Sequence, residues 1–175
     1  HHPVAALDDE IVTAVHALAA RLDGEGAEVT HGSDLLPDLA RVHELYGAML
    51  GAAMSRGGPP QPDANSPHHR MAQHDGQLAV RRQWEALFER FDVVLAPAFG
   101  TTAYPHDLER PAAERTLTVN GAETPYFAQL AWAGPASLGN LPATVTPIGL
   151  SAAGLPIGVQ ILGGYLEDRT TIGFA

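Results

Sequence analysis

The side chains that could perform chemistry in this 175-residue chain are nine histidines, five serines and twenty acidic residues. All ten basic residues are arginine, so the chain contains no lysine, and it also contains no cysteine. A mechanism that needs a thiolate nucleophile or a neutral amine as general base therefore cannot be assembled from these residues. The serines are isolated from one another in the sequence, at positions 33, 55, 66, 137 and 151.

The densest histidine cluster is His68-His69 followed by His74-Asp75. It suggests a metal site, but its spacing matches no common zinc pattern. If this segment is helical, His68 and His74 lie six residues apart and project from different faces. We therefore expect neither a metal nor a cofactor in this chain.

A Ser-His-Asp triad built from Ser137, a histidine and Asp107 is a second chemical hypothesis. None of the serines lies in a Gly-x-Ser-x-Gly segment, which argues against this arrangement. A carboxylate pair has no support beyond the presence of acids, because the acidic run at residues 8–10 is explained by its place at a helix start. We expect no catalytic residue among these groups.

The composition indicates a globular domain without nucleic-acid or membrane partners. Apolar residues make up 45% of the chain and charged residues 17%. The formal charge of −10 argues against nucleic acid, because phosphate binding requires clustered cations. No apolar stretch approaches the roughly 18–20 residues of a membrane helix. Because no secretory signal pattern is present, we expect a cytoplasmic protein.

Two helical patterns occupy the first 54 residues. Asp8 or Asp9 can cap the first helix, which is predicted to end at Gly24 and Gly26. The second helical pattern covers residues 35–54, with apolar side chains near one stripe.

A third helix is predicted to begin at Ser66-Pro67, where serine is a good cap and proline suits the first helical position. It continues to about Phe88. It follows residues 56–65, which are rich in glycine and proline and must form a loop. A short strand is expected at residues 27–30.

The second half of the chain has the pattern of strands separated by turns. Residues 91–96 form a near-continuous apolar run that ends at Pro97, which is typical of a strand covered on both faces. Residues 98–114 have an irregular, exposed pattern. Asn120-Gly121 lies between two short strand patterns and predicts a two-residue hairpin turn.

The last part of the chain is expected to add two further buried strands. These cover residues 143–146 and 157–162, with a turn at residues 151–154 between them. Residues 126–138 have a helical pattern, and a final helix begins near Asp168.

A dense set of glycine and proline motifs follows Trp132: Gly139-Asn-Leu-Pro-Ala143, Pro147-Ile-Gly149 and Gly154-Leu-Pro-Ile-Gly-Val-Gln-Ile161. With the strand that leads into Pro97, the Asn120-Gly121 hairpin and the Glu167-Asp-Arg-Thr-Thr-Ile172 helix start, these motifs resemble those of amidase-signature enzymes. The resemblance covers the C-terminal part of that family. It implies an α/β fold with a mixed sheet flanked by helices, in which residues 1–175 form a single partial domain.

Enzymes of this family hydrolyse a carboxamide to a carboxylate and ammonia or an amine through a Ser-Ser-Lys arrangement. The present chain has no lysine and no paired serines, so we carry over no catalytic residue. The resemblance therefore implies that the catalytic residues lie upstream of this chain. We expect the 175-residue fragment itself to be inactive.

The resemblance also implies that the segment before Leu141-Pro142-Ala143 borders the acyl pocket. Five residues are thus candidates for contact with a small amide substrate: Leu130, Trp132, Ala133, Ser137 and Asn140. For Trp132, ordinary core packing is an equally good interpretation.

The chain stops within the apolar pattern of its last helix, from which we expect a truncated fragment. Its exposed sheet edge and apolar face would then favour self-association as a homodimer. Two other functions stay open. One is a naturally short, non-catalytic homologue that acts as a binding module. The other is the amidotransferase branch of the same family, in which ammonia is passed to an acceptor on RNA.

Overall fold

A computed structural model describes residues 1–55 and 66–175 of the chain. The loop predicted at residues 56–65 lies outside the described residues. The elements are, in order, α1 Asp9–Gly24, α2 Leu39–Met54, α3 Pro67–Phe88, β1 Val94–Pro97, β2 Thr116–Val119, β3 Ala122–Pro125, α4 Gly134–Gly139, β4 Ala143–Leu150, β5 Pro156–Leu162 and α5 Asp168–Phe174. Two 3-10 turns, Ala112–Glu114 and Tyr126–Ala131, precede β2 and α4.

The main sheet has three strands in the order β1-β5-β4, and β2 pairs with β3 as a separate hairpin. All strand pairs among the described residues are antiparallel. Helices cover both faces of the main sheet, so the predicted α/β class with a helix-flanked sheet is confirmed. The central strand β5 is the best covered, since Val159 and Ile161 are almost fully buried.

The larger core lies on the face of the sheet that carries α2, α3 and α4. Leu162 of β5 lies beneath these helices. The helices are held together by apolar side chains that are at most 8% exposed: Val42, Leu45, Val80, Trp84, Leu87, Ala136, Leu138 and Leu141. Helices α1 and α5 cover the opposite face, where Leu18 and Phe174 lie with Val159 and Ile161 around a small cavity.

Side-chain caps set the starts of the three long helices. Asp8 Oδ1 accepts a hydrogen bond from Glu10 N–H (3.1 Å), and Ser66 Oγ accepts one from His69 N–H (3.2 Å), as the sequence predicted. Helix α2 begins at Leu39 and not at residue 35. Pro37 disfavours helical geometry in the residue before it, and Asp38 then caps the helix.

The strand predicted at residues 27–30 was wrong. Helix α1 ends in a Schellman motif, in which Ala27 N–H donates to Leu22 O (3.0 Å) and Gly26 has a positive φ of 99°. Within residues 1–55 and 66–175, no strand pairs with the residues that follow. Strand β1 also begins late, at Val94, because Phe91 N–H still donates to Leu87 O at the end of α3 (3.1 Å).

The hairpin at Asn120-Gly121 is confirmed, and both turn residues have positive φ, 51° and 80°. The prediction that strand β4 is buried was wrong. It lies at the sheet edge, so its side chains alternate between exposed and half-buried, and Val145 and Leu150 are 59% and 69% exposed. This exposed edge is the surface to which the homodimer prediction refers.

The segment expected to be helical at residues 126–138 is divided into two pieces. The 3-10 turn Tyr126–Ala131 comes first, and α4 starts at Gly134 with Pro135 in its first turn. Among the described helices, none combines the length and apolarity that a membrane crossing requires.

Candidate functional site

An open cavity of about 480 Å³ lies between α4 and strands β4 and β5 of the main sheet. Its walls come from α4 and the residues flanking it, and its floor comes from β4 and β5. Five of the lining residues are apolar, namely Ala133, Ala136, Leu141, Ala143 and Val145. Three are polar and uncharged, namely Ser137, Asn140 and Gln160. Such a lining can bind a neutral molecule with a small apolar body and a few hydrogen-bonding groups.

Three of the five residues predicted to contact substrate line this cavity. Ala133 immediately precedes α4, Ser137 is exposed within it, and Asn140 follows its last residue. Asn140 has a left-handed backbone, with φ of 52°, which ends the helix and directs the chain into Leu141-Pro142. The short helix therefore brings these three residues to one surface.

The other two predicted residues do not line the cavity. Leu130 is half-buried in the 3-10 turn before α4. The Trp132 side chain is 6% exposed and packs in a small core with Ala5 and Ala131. Substrate contact stays a prediction for all five residues, but Trp132 occupies the place that core packing would give it.

Gln160 is a cavity residue that the sequence analysis did not single out. It is 7% exposed, and its side-chain Nε2 donates to the carbonyl oxygen of Trp132 (3.0 Å). The strand register places it opposite Val145 of β4, on the cavity face of the sheet. The sequence signal for it was one polar residue inside the apolar run of β5, since a buried amide needs a specific partner.

Three buried nitrogen atoms of neighbouring rings have no hydrogen-bond partner among the described residues. They are Trp132 Nε1, His2 Nε2 and His43 Nδ1. The His2 ring centroid lies 5.4 Å from that of Trp132 and 6.2 Å from that of His43. Val4 N–H donates to His2 Nδ1 (3.2 Å), so the neutral ring carries its proton on Nε2.

Burial lowers the pKa of His2 below its ordinary value of 6.5, and the neighbouring His43 and the N-terminal ammonium lower that pKa further. The folded chain thus prefers neutral His2. The contribution of neutral His2 to stability is complete above about pH 6.5 and is lost as the pH falls toward the folded-state pKa.

We expect a His2→Phe variant to show a shallower fall in melting temperature than the unmodified chain between pH 7.5 and 5.5. A matched His74→Phe change, at an exposed position, should leave the slope as it is, and equal slopes for all three proteins would contradict the assignment.

The remaining chemical hypotheses find no support in the geometry. Asp107 is engaged by Arg110, whose backbone N–H and guanidinium lower the pKa of this carboxyl, and Arg110 Nε lies 2.6 Å from Asp107 Oδ2. Within residues 1–55 and 66–175, no hydrogen bond joins Ser137 to a histidine, and no three histidine or acidic side chains gather as metal ligands. Among the described residues, the cavity lining includes no base and no activated nucleophile.

Comparison with known proteins identifies relatives of this chain. A sequence model described as Amidase matches residues 11–172. A glutamyl-tRNA(Gln) amidotransferase subunit of Zymomonas mobilis is 34% identical over 95 residues, which are 53% of this chain and 17% of that protein. The aligned region is therefore less than one fifth of that relative's length.

Solved structures share the fold of this chain. A glutamyl-tRNA(Gln) amidotransferase subunit of Thermotoga maritima superposes with a TM-score of 0.70 at 18% identity, over 95% of this chain and 38% of the other. A 6-aminohexanoate cyclic dimer hydrolase complexed with substrate superposes with a TM-score of 0.65 at 23% identity, over 98% of this chain and 42% of the other. These identities support a shared fold alone. Because the Amidase model matches nearly the whole length, the chain belongs to the amidase family.

Proposed function

We propose that this chain forms the C-terminal portion of an amidase that hydrolyses a carboxamide to a carboxylate and ammonia or an amine. In this proposal the cavity beside α4 is part of the wall that holds the acyl group. The observation that carries it is the position of Ala133, Ser137 and Asn140 around one cavity with an uncharged lining. An uncharged, partly apolar lining suits the body of a neutral amide.

We further propose that the catalytic Ser-Ser-Lys residues of the parent enzyme lie outside this chain, on its N-terminal side. The chain has no lysine to act as the base, and its five serines are mutually isolated. The chain also spans only about 40% of the solved structures that share its fold. Both observations support the proposal that this chain contributes substrate contacts, while residues outside it catalyse cleavage of the amide bond.

The proposal predicts that the purified 175-residue chain releases no ammonia from carboxamides above the buffer rate. The measurement is an ammonia-release assay on aliphatic and aromatic amides, with the longer parent protein as the positive control. Turnover by the 175-residue chain that Ser137→Ala abolishes would contradict the assignment of the nucleophile. An inactive parent whose upstream sequence contains neither lysine nor paired serines would instead favour the non-catalytic binding module.

A second candidate is the amidotransferase branch, favoured by the 34% identity to a glutamyl-tRNA(Gln) amidotransferase. In that case the parent would release ammonia from glutamine and pass it to an acceptor on RNA. The net charge of −10 weighs against direct RNA contact by this segment. Ammonia release by the parent that depends on added glutamyl-tRNA would select this candidate. Release from simple amides without RNA would select the hydrolase.

Self-association is part of the same proposal. Leu150 and the side of β4 that pairs with no strand among the described residues form an exposed edge, and a second copy of the chain could cover it.

A further inference from the structure

The amide group of Gln160 is held in one orientation at the floor of the cavity. Its partner is the backbone carbonyl of Trp132, which can only accept a hydrogen bond, so the atom 3.0 Å from it must be Nε2. A flip of the amide would place Oε1 against that carbonyl and leave two acceptors facing each other. The buried position of Gln160 makes such a flip costly.

The fixed orientation leaves the amide oxygen of Gln160 available to a ligand. The one side-chain hydrogen bond of Gln160 among the described residues is the one that its Nε2 donates to Trp132 O, so its Oε1 has no donor there. It is also not one of the buried polar atoms that lack a partner, although Gln160 itself is 7% exposed. Oε1 is therefore partly accessible, and the cavity is the open space that Gln160 lines. The floor of the cavity thus presents a hydrogen-bond acceptor.

The surroundings of this acceptor restrict the ligand further. The methyl groups of Ala133, Ala136 and Ala143 and the side chain of Val145 lie around the same space. No charged side chain lines the cavity among the described residues. A ligand ammonium or carboxylate would find no counter-ion among these residues. A neutral N–H donor on a compact aliphatic body suits both the acceptor at the cavity floor and the uncharged, apolar lining.

We propose that Gln160 is a specificity-determining residue that selects neutral primary carboxamides with a compact aliphatic body. Its Oε1 accepts a hydrogen bond from the ligand N–H. The proposal rests on the proposed amidase function for the identity of the ligand as substrate, but the binding preference itself does not require hydrolysis. The Trp132 carbonyl acts as the positioning group, because it fixes which end of the Gln160 amide faces the ligand.

The test compares two ligands of the same shape, isobutyramide and methyl isopropyl ketone, by chemical-shift titration of the isotopically labelled 175-residue chain. The amide carries N–H donors where the ketone carries a methyl group. One net hydrogen bond corresponds to a preference of about three- to tenfold for the amide. N,N-dimethylisobutyramide, which lacks both N–H groups, should bind no better than the ketone. Equal binding of all three ligands to the unmodified chain would overturn the proposal without reference to any variant.

A Gln160→Met variant removes the acceptor while keeping a side chain of similar length. We expect the amide-to-ketone ratio to fall to about one. The matched control is Gln77→Met, since Gln77 Nε2 makes the same kind of bond to Leu138 O (3.0 Å) away from the cavity. This control should retain the ratio of the unmodified chain. A folded Gln160→Met protein that keeps the preference would overturn the proposal.

The outcomes separate this inference from the proposed function. A selective chain whose parent hydrolyses no amide would retain the Gln160 assignment and reject the amidase proposal. An active parent whose 175-residue segment shows no amide preference would retain the amidase proposal and reject the Gln160 assignment.

Discussion

Replacing Trp84 with alanine is expected to lower the free energy of unfolding by about 3–5 kcal/mol, the range for removal of a large aromatic side chain from a core. Trp84 is 1% exposed and lies in α3 between the other helices of the larger core. It stacks on Phe88, with ring centroids 5.9 Å apart. Its ring also lies against Gly139 at the end of α4, where an added Cβ atom would be 3.2 Å from Trp84 Cδ1. Its loss would therefore leave a cavity next to the helix that carries the candidate site.

Chemical denaturation followed by far-ultraviolet circular dichroism measures this loss, since it does not depend on the indole as reporter. Leu78→Ala on the same helix is the matched control, because Leu78 is 50% exposed. It should change stability by no more than about 0.5 kcal/mol. A loss below about 1 kcal/mol for Trp84→Ala would show that the helices do not meet around this side chain.

Replacing Gly100 with alanine is the second large effect, a loss of about 3 kcal/mol expected from overpacking together with disturbed hydrogen bonds. A methyl group at this position would overlap the Gln129 side-chain oxygen and come within 2.5 Å of Ala6 O. Gly100 N–H donates to Gln129 Oε1 (2.9 Å), and Gln129 Nε2 donates to Ala6 O (3.2 Å). The substitution would thus push apart three segments that meet at one buried amide.

Gly47→Ala provides the control for the change of residue type. Gly47 lies in the interior of α2, and an added methyl group there meets no atom within 4 Å. Alanine should stabilise the helix by about 0.5–1 kcal/mol relative to glycine. Thermal unfolding of both variants gives the comparison. Opposite signs are expected, and a stabilised Gly100→Ala protein would refute the close approach of Ala6 to this loop.

The sequence alone determined the features that depend on a few neighbouring residues. The cap at Ser66-Pro67 and the hairpin at Asn120-Gly121 could be predicted because each residue's own backbone preference selects the local geometry. The glycine and proline motifs between residues 139 and 161 likewise predicted the family. The same local logic failed at residues 27–30, where a strand pattern has no pairing strand in the part of the chain that the structure describes.

The tertiary structure decided which side chains meet. Ala133, Ser137 and Asn140 were candidates by resemblance, but only the tertiary arrangement of α4 near strands β4 and β5 brings them to one cavity with Gln160. The sequence pattern also predicted β4 to be buried, and its place at the sheet edge leaves it open instead. Burial and contact depend on elements that are distant in the chain, so no local pattern encodes them. Whether the Gln160 amide presents its oxygen or its nitrogen to a ligand depends on the carbonyl of Trp132, 28 residues away.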